Sequence, residues 1–325
     1  LYFQYKFLRR SRIDRRGRIV LPTLRQLEYL VAIADMRHFH KAATKVNVSQ
    51  PTLSGQLKAL EERLDAQLVE RSRASVIMTE TGEKIVTIAR RMLRDAADIR
   101  EMAAGGRDTL GGVVRIGLPP TIGPYLLPSI LPDLRKHYPD LKLYVREDLP
   151  QNLPVSLGEG HYDLVIAPFP LAFDNLRTVL LFREPLYLTV PRNHPFATRK
   201  RIRRGDLAGQ DVLALGSGYQ LHTVVVTLCE ACGARVRLDY EGTSLDMLRE
   251  MVATGLGVSF FPGLYVKTVL SRDKGLRTLQ MSGKALQRSI GIAWRKTSAR
   301  GGQYMELAEM IKARVRKEFR DIDVP

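Results

Sequence analysis

Residues 24 to 64 leave the chain few ways to fold. In "LRQLEYLVAIADM", Leu24, Leu27, Leu30, Val31 and Ala34 recur at helical spacing and give one apolar face. "FHKAATKV" reads as a second, shorter helix, with Ala42 and Ala43 small enough for another helix to cross closely. Asn47-Val48-Ser49 is the turn, and a third helix opens at Gln50. Ser49 is a good N-cap, Pro51 suits a first turn, and Thr52 can serve the free backbone N–H groups. Leu53, Leu57, Leu60 and Leu64 form the stripe to be buried, and Gln50, Thr52, Ser54, Gln56 and Lys58 fall on the opposite face. Compact hydrogen-bonding side chains with one cation are not the Glu/Lys surface of a helix that only has to stay soluble. An exposed polar face without a partner is the bland alternative. Two short helices, a tight turn and a polar-fronted second helix make a helix-turn-helix, whose second helix lies in the major groove. Gln and Ser at its N-terminus read base edges or phosphates, and its dipole favours phosphate.

"QLVERSRASVIMTE" continues the module as a winged hairpin, with Leu68-Val69 and Val76 to Met78 as strands and Ser72 to Ser75 as the turn. Arg71 and Arg73 at its tip suit contact with a DNA backbone, although either alone is as readily a solvated charge. The candidate DNA contacts are therefore Arg37, Ser49, Gln50, Pro51, Thr52, Ser54, Lys58, Arg71 and Arg73. Thr79 caps a long helix with Glu80 and Glu83 in its first turn. Ile85, Ile88, Met92, Ala96, Ile99 and Met102 then step by three or four, close to a heptad. Packing on its own domain explains such a stripe too. The helix runs to about Ala104 and exits into "GGRDTLGG", where little local core is on offer, which favours a dimerisation coil. Readers of this kind bind paired half-sites as two-fold dimers.

Composition supports this. A chain of 325 residues, 45% hydrophobic, predicts two or three domains with real cores. Its 51 Lys and Arg against 34 Asp and Glu, net +17, favour a polyanionic partner, either nucleic acid or an anionic membrane surface. Residues 5 to 20 hold seven basic residues and one acid, and the remaining +11 is still strongly basic. "LYFQ" looks like the remnant of a protease-site tag, so residues 1–21 are set aside as a tag or disordered basic arm. No apolar run approaches a bilayer-spanning length and no secretory segment is evident, which predicts a soluble, cytoplasmic protein without a membrane partner.

Beyond Gly112 the pattern changes to α/β. "VVRIGL", "LKLYV", "YDLVIAP", "LYLTV", "DVLAL", "GVSFFP" and "IGIAW" read as buried strands, with helices such as "PYLLPSILPDLRKHY" and "SLDMLREMVATG" between them. This predicts mostly parallel sheets, with ligands gathering at strand ends near helix N-termini. Three such places stand out: Pro119-Pro120-Thr121, Ser217-Gly218-Tyr219-Gln220 and Thr243-Ser244. Each alone is better explained as an N-cap. Converging across two lobes, Thr121, Ser217, Tyr219, Gln220, Thr243 and Ser244 would form an anion- or metabolite-binding cleft. Catalytic signals are lacking: the six histidines show no metal spacing, and there is no GxSxG elbow or P-loop, so no catalytic residue, metal or cofactor is expected. Cys229 and Cys232 share a helix face and are better explained as buried small residues than as a metal pair, with a redox role left open.

The series "AA…VSQPTLSGQLKALEERL…LVERS…TETGE", from Ala42 to Glu83, resembles the signature of LysR-type transcriptional regulators, and the likeness runs from about Leu24 to Ala313. "IGLPPTIGPYLLPSILP", "TSLDMLREMVATGLGVSFFP" and "RSIGIAW" are most similar to the OxyR-type peroxide-sensing branch. The resemblance implies a winged helix-turn-helix (22–79), a linker helix (80–105), a hinge (106–112) and a two-lobed effector domain like periplasmic binding proteins (113–325). Lobe I would hold 113–183 and 289–325, and lobe II 184–288. It also implies homodimers assembling into homotetramers on promoter DNA, RNA polymerase as a partner, and activation of oxidative-stress or related genes. On the same alignment Gln220 stands where those sensors carry the peroxide-attacking cysteine, Cys229 falls on the resolving cysteine, Pro150 replaces a peroxide-binding threonine, and Thr121 is retained. Gln has no thiolate, so that chemistry cannot run at position 220. The expected effector is a small polar or anionic molecule. The competing readings are a redox signal through Cys229 or Cys232, a metabolite-responsive regulator unrelated to redox, and a small-molecule-binding protein with an incidental basic N-terminus.

Overall fold

The computed structural model describes residues 21–71, 76–103, 110–171, 173–283 and 286–325, with backbone alone at 71, 98 and 101–103. The basic arm, the wing turn with Arg73, the side chain of Met102 and most of the expected hinge lie outside the described residues. The chain divides into two compact units, Leu1–Ala104 and Gly105–Pro325.

In the first unit, α1 (Leu24–Met36), α2 (Phe39–Lys45) and α3 (Gln50–Leu64) follow in close succession. Thr23 Oγ1 accepts from the Gln26 backbone N–H, and the Gln26 side chain accepts from the Thr23 N–H, which is a capping box. That box turns Gln26 inward, where its amide reaches Gln56 of α3, and leaves Leu24 47% exposed, so Leu24 is not part of the buried face expected for it. Leu30, Ile33, Ala42, Ala43, Leu53, Leu57 and Leu60 close the core. β1 (Val69–Arg71) and β2 (Val76–Met78) pair antiparallel, and α4 (Glu80–Ala103) follows. Thr79 caps it by accepting from the Gly82 N–H at 2.9 Å. A Cβ at Gly82 would lie 2.1 Å from the Leu68 carbonyl oxygen, so only glycine lets the helix start against the wing. α4 buries residues beside the expected stripe: Val86 and Ala89 are buried, with the helix packed on α1, while Ile88, Met92 and Ile99 of the stripe stay exposed.

The second unit runs β3 (Gly112–Leu118), α5 (Gly123–His137), β4 (Leu141–Glu147), α6 (Leu153–Gly158), β5 (Leu164–Phe169), β6 (Leu176–Pro191) and β7 (Arg201–Ile202). It continues through β8 (Asp211–Val212), α7 (Gln220–Cys232), β9 (Arg235–Val236), α8 (Leu245–Ala253) and β10 (Ser259–Pro262). α9 (Gly263–Thr268), β11 (Leu276–Met281), β12 (Gln287–Arg295) and α10 (Gly301–Glu318) complete it. The main sheet is ordered β4-β3-β5-β12-β6-β11-β7, with β10 also on β6. It is mixed, not mostly parallel. β3 pairs parallel with β4 and β5, but β12 and β6 pair antiparallel with each other, and β6 does so again with β10 and β11.

The reason is the 16-residue strand β6, which pairs with β12 up to Pro185 and with β10 and β11 from Leu186 onward, so one strand serves both lobes. Only its second half, "LYLTV", reads as a strand from pattern, because Arg177, Thr178 and Arg183 to Pro185 interrupt the apolar run. At the crossing Glu184 faces Arg288, and both side chains are almost fully buried. Glu184 Oε1 accepts from Arg288 Nε at 2.7 Å and Oε2 from the Leu264 N–H at 2.8 Å. Arg288 donates its other nitrogens to Thr121 Oγ1 (3.2 Å) and the Thr121 carbonyl (2.9 Å). The group ties the start of α5 to the start of α9 through the two crossing strands.

Candidate functional site

The front of α3 is built by local chemistry. Ser49 Oγ accepts from the Thr52 N–H at 3.2 Å, and the two hydroxyls lie 2.8 Å apart. With Leu53, Leu57 and Leu60 held in the core, Gln50, Pro51, Thr52, Gln56 and Lys58 are left exposed and Ser54 half-buried. Lys58 lies 3.8 Å from Glu62, an exposed i,i+4 pair too weak to withhold it from a phosphate. Arg37, the left-handed cap of α1, donates to Glu83 of α4 at 2.6 Å, again an exposed pair. Arg71 ends β1, and Arg73 lies outside the described residues. Pattern reading missed Asp35, which takes Lys45 from α2 and Arg90 from α4. Burial works against its charge, but the hydrogen bonds from Arg90 and Lys45 outweigh it and hold the carboxyl below the ordinary range.

In the second unit, a cleft of about 330 Å³ opens between the lobes. Pro150, Gln151, Pro154, Pro168, Pro170, Leu171 and Phe173 form one wall, and Ser217, Gly218, Tyr219, Gln220 and Thr223 the other. Three of the six expected effector residues, Ser217, Tyr219 and Gln220, therefore meet there, opposite Pro150. The other three do not line it, which corrects the expected convergence. Thr121 is 2% exposed, bound to Arg288, and not the cap of α5. Ser244 caps α8 by accepting from the Met247 N–H, and Thr243 offers only its carbonyl, to the Tyr219 hydroxyl at 2.8 Å. No lining residue carries a charge, so an anion would meet only the start of α7, which has no side-chain cap.

Gln220 spans the cleft. Its Nε2 donates to the Phe169 carbonyl at 2.9 Å, while its Oε1 is buried without a hydrogen-bond partner. Gly291 makes this possible, since a Cβ there would lie 2.1 Å from the Phe169 ring. The cysteines sit on α7. Cys229 is buried, and burial, then the neighbouring Cys232 and Glu230, push its thiol up to about 11. Cys232 is half-buried, its Sγ 3.7 Å from the Cys229 carbonyl, and both are free thiols. Among the described residues no His, Cys, Asp and Glu cluster could hold a metal ion. Nor is any described helix long and apolar enough to cross a membrane.

Known proteins resemble the chain over most of its length. Residues 24–83 match the bacterial regulatory helix-turn-helix protein, lysR family, and residues 107–316 match the LysR substrate binding domain. The chain is 39% identical to the DNA-binding transcriptional dual regulator OxyR of Escherichia coli K12, over 91% of this chain and 97% of that one. A hydrogen peroxide-inducible genes activator of Haemophilus influenzae is 35% identical, over 90% and 97%. Among solved structures, a full-length OxyR from Pseudomonas aeruginosa with a cysteine-to-aspartate substitution matches with a TM-score of 0.78 at 34% identity, covering 89% of this chain and 94% of that one. A peroxide-bound OxyR mutant from Corynebacterium glutamicum matches with a TM-score of 0.63 at 32% identity, covering 92% and 94%. The chain thus belongs to the LysR family, as an OxyR-like DNA-binding transcriptional regulator with a helix-turn-helix and an effector-binding domain.

Proposed function

We propose that this regulator reads promoter DNA with Gln50, Thr52 and Lys58 of α3, and that a small molecule seated at Gln220 controls it in place of thiol chemistry. The buried, unpartnered Oε1 of Gln220 carries the reading. Leaving a buried acceptor unpaired costs roughly 1–3 kcal/mol, which a ligand with an N–H or O–H donor would recover. The proline-rich wall and Phe173 suit an apolar body, and the uncapped start of α7 suits an acceptor or a single negative charge. The effector is therefore a small, mainly apolar molecule with a donor beside an acceptor, a class for which peroxide is too small and too polar.

The relatives named for peroxide induction support a second reading, an oxidant signal through Cys229 or Cys232. The raised Cys229 pKa speaks against a fast thiolate there. We further propose α4 as the dimer seam, a reading supported by the exposed Ile88, Met92 and Ile99, with assembly into tetramers and contact with RNA polymerase as parts of the same proposal. Ile88→Asp with Ile99→Asp should yield smaller species in sedimentation. Native mass spectrometry of the freshly purified full chain tests the cleft. A bound small molecule is expected in the parent and lost in Gln220→Ala, together with the change in DNA footprint that it causes. An unliganded parent whose regulation survives Gln220→Ala would contradict the reading.

A further inference from the structure

Apart from the basic arm at residues 5–20, a dense run of positive charge in this regulator lies outside its DNA-reading module. Residues 24–79 hold 8 Lys and Arg against 6 Asp and Glu, whereas residues 105–325 hold 31 against 22. Within the latter, residues 184–288 hold 15 against 9. Most of that local excess comes from "RNHPFATRKRIRRGD", residues 192–206, with six cations and one acid. The segment is a two-residue edge strand, β7, flanked by 3-10 turns at Pro195–Thr198 and Arg204–Leu207. Ile202 is buried as its anchor, beside buried Phe196 and Leu207, and this turns Arg199, Lys200, Arg201, Arg203 and Arg204 outward. Arg199 lies over the Phe196 ring and pairs with Asp206 at 3.0 Å. Lys200, Arg201, Arg203 and Arg204 have no ion-pair partner among the described residues.

An edge strand needs a charge or two to discourage pairing with another sheet; this one carries far more. We infer that this ridge of lobe II is a second DNA-binding surface, which grips backbone phosphates beyond the footprint of α3 without reading sequence. The composition selects DNA over other polyanions. A membrane-binding surface interleaves exposed aromatic or aliphatic residues with its cations, and a protein interface has an apolar centre. Here the large apolar side chains of the ridge, Phe196 and Ile202, are turned into the core, and apart from Pro195 and the half-buried Ala197 what faces outward is polar or charged, mainly arginine forks that match phosphate. The family's activity supplies the duplex, since the chain is already bound to it through the helix-turn-helix.

The test uses the full-length regulator with Lys200, Arg201, Arg203 and Arg204 all changed to Gln, leaving the Arg199–Asp206 pair intact. Affinity is measured against salt on two duplexes, one trimmed to the core operator and one with long flanks. On the long duplex the slope of log affinity against log salt should fall by about 2–4, roughly one per lost phosphate contact, and on the core duplex it should not change. A variant with Arg201, Arg203 and Arg204 changed to Lys should keep the parental slope, which separates loss of charge from loss of fold. Unchanged slopes on both duplexes would overturn the inference, as would equal losses on both. Unchanged DNA binding with lost transcription by purified polymerase would assign the ridge to an acidic protein and also overturn it. Unchanged DNA binding with lost adsorption to phosphatidylserine vesicles would assign it to a membrane, with the same consequence.

Discussion

The front of α3 and the start of α7 look alike in sequence, each a short run of small polar residues ahead of an apolar helix, yet they face opposite surroundings. At α3 the cap is closed by its own neighbours, Ser49 and Thr52, and the residues beyond it are left in water. At α7 there is no side-chain cap, and Gln220 instead reaches across the cleft to Phe169, with half of its amide left unpaired. A surface that meets DNA can be finished locally, because water satisfies its side chains until phosphates and bases replace it. A cleft between lobes is finished by distant strands, and whatever buried polar capacity they leave over is what a ligand can use.

That contrast can be broken at several points. The largest effect should come from the crossing strands that hold the cleft: Arg288→Met leaves Glu184 buried with only the Leu264 N–H, and should cost about 3–5 kcal/mol. Thermal unfolding should show the loss in the second unit, while the helix-turn-helix melts as before. Next is the α3 surface. Gln50→Ala should remove about 1–3 kcal/mol of discrimination between operator and random DNA, with random-sequence affinity preserved. Equal losses on both would remove Gln50 from the reading face. The smallest effect is at Asp35. Its carboxyl is depressed on folding, so the stability it adds is present above its unfolded pKa and fades as pH falls through the lower, folded value. Asp35→Asn should cost about 1 kcal/mol near neutrality and flatten the acid limb of unfolding of the first unit. An unchanged acid limb would show that the Lys45 and Arg90 pairs contribute nothing.

The sequence was most legible where structure is local. Helical spacing, the Ser49 cap and the turn at Asn47 place α3 without any knowledge of the rest, although the exposure of Leu24 and the partner of Arg37 are not legible there. Leu24 lost its place to Gln26 through a capping box, and Arg37 met Glu83 from 46 residues away. In the second unit the polar helix starts are legible, but the expected convergence holds for only three of the six residues, because Thr121 answers to Arg288, 167 residues distant. A signal was present in "LQRSIGIAW", where one arginine leads an apolar strand and so needs a buried anion. Its partner Glu184 sits in a stretch whose pattern does not read as strand at all.

The central claim, control by a ligand at Gln220 and not by thiol oxidation, is met most directly by thiol trapping after a micromolar peroxide pulse, with the DNA footprint read on the same samples. Cys229, buried and with its thiol pushed up to about 11, should stay free together with Cys232, and the footprint should not move. Rapid loss of either thiol accompanied by an altered footprint would contradict the account and make the α7 cysteines the sensor.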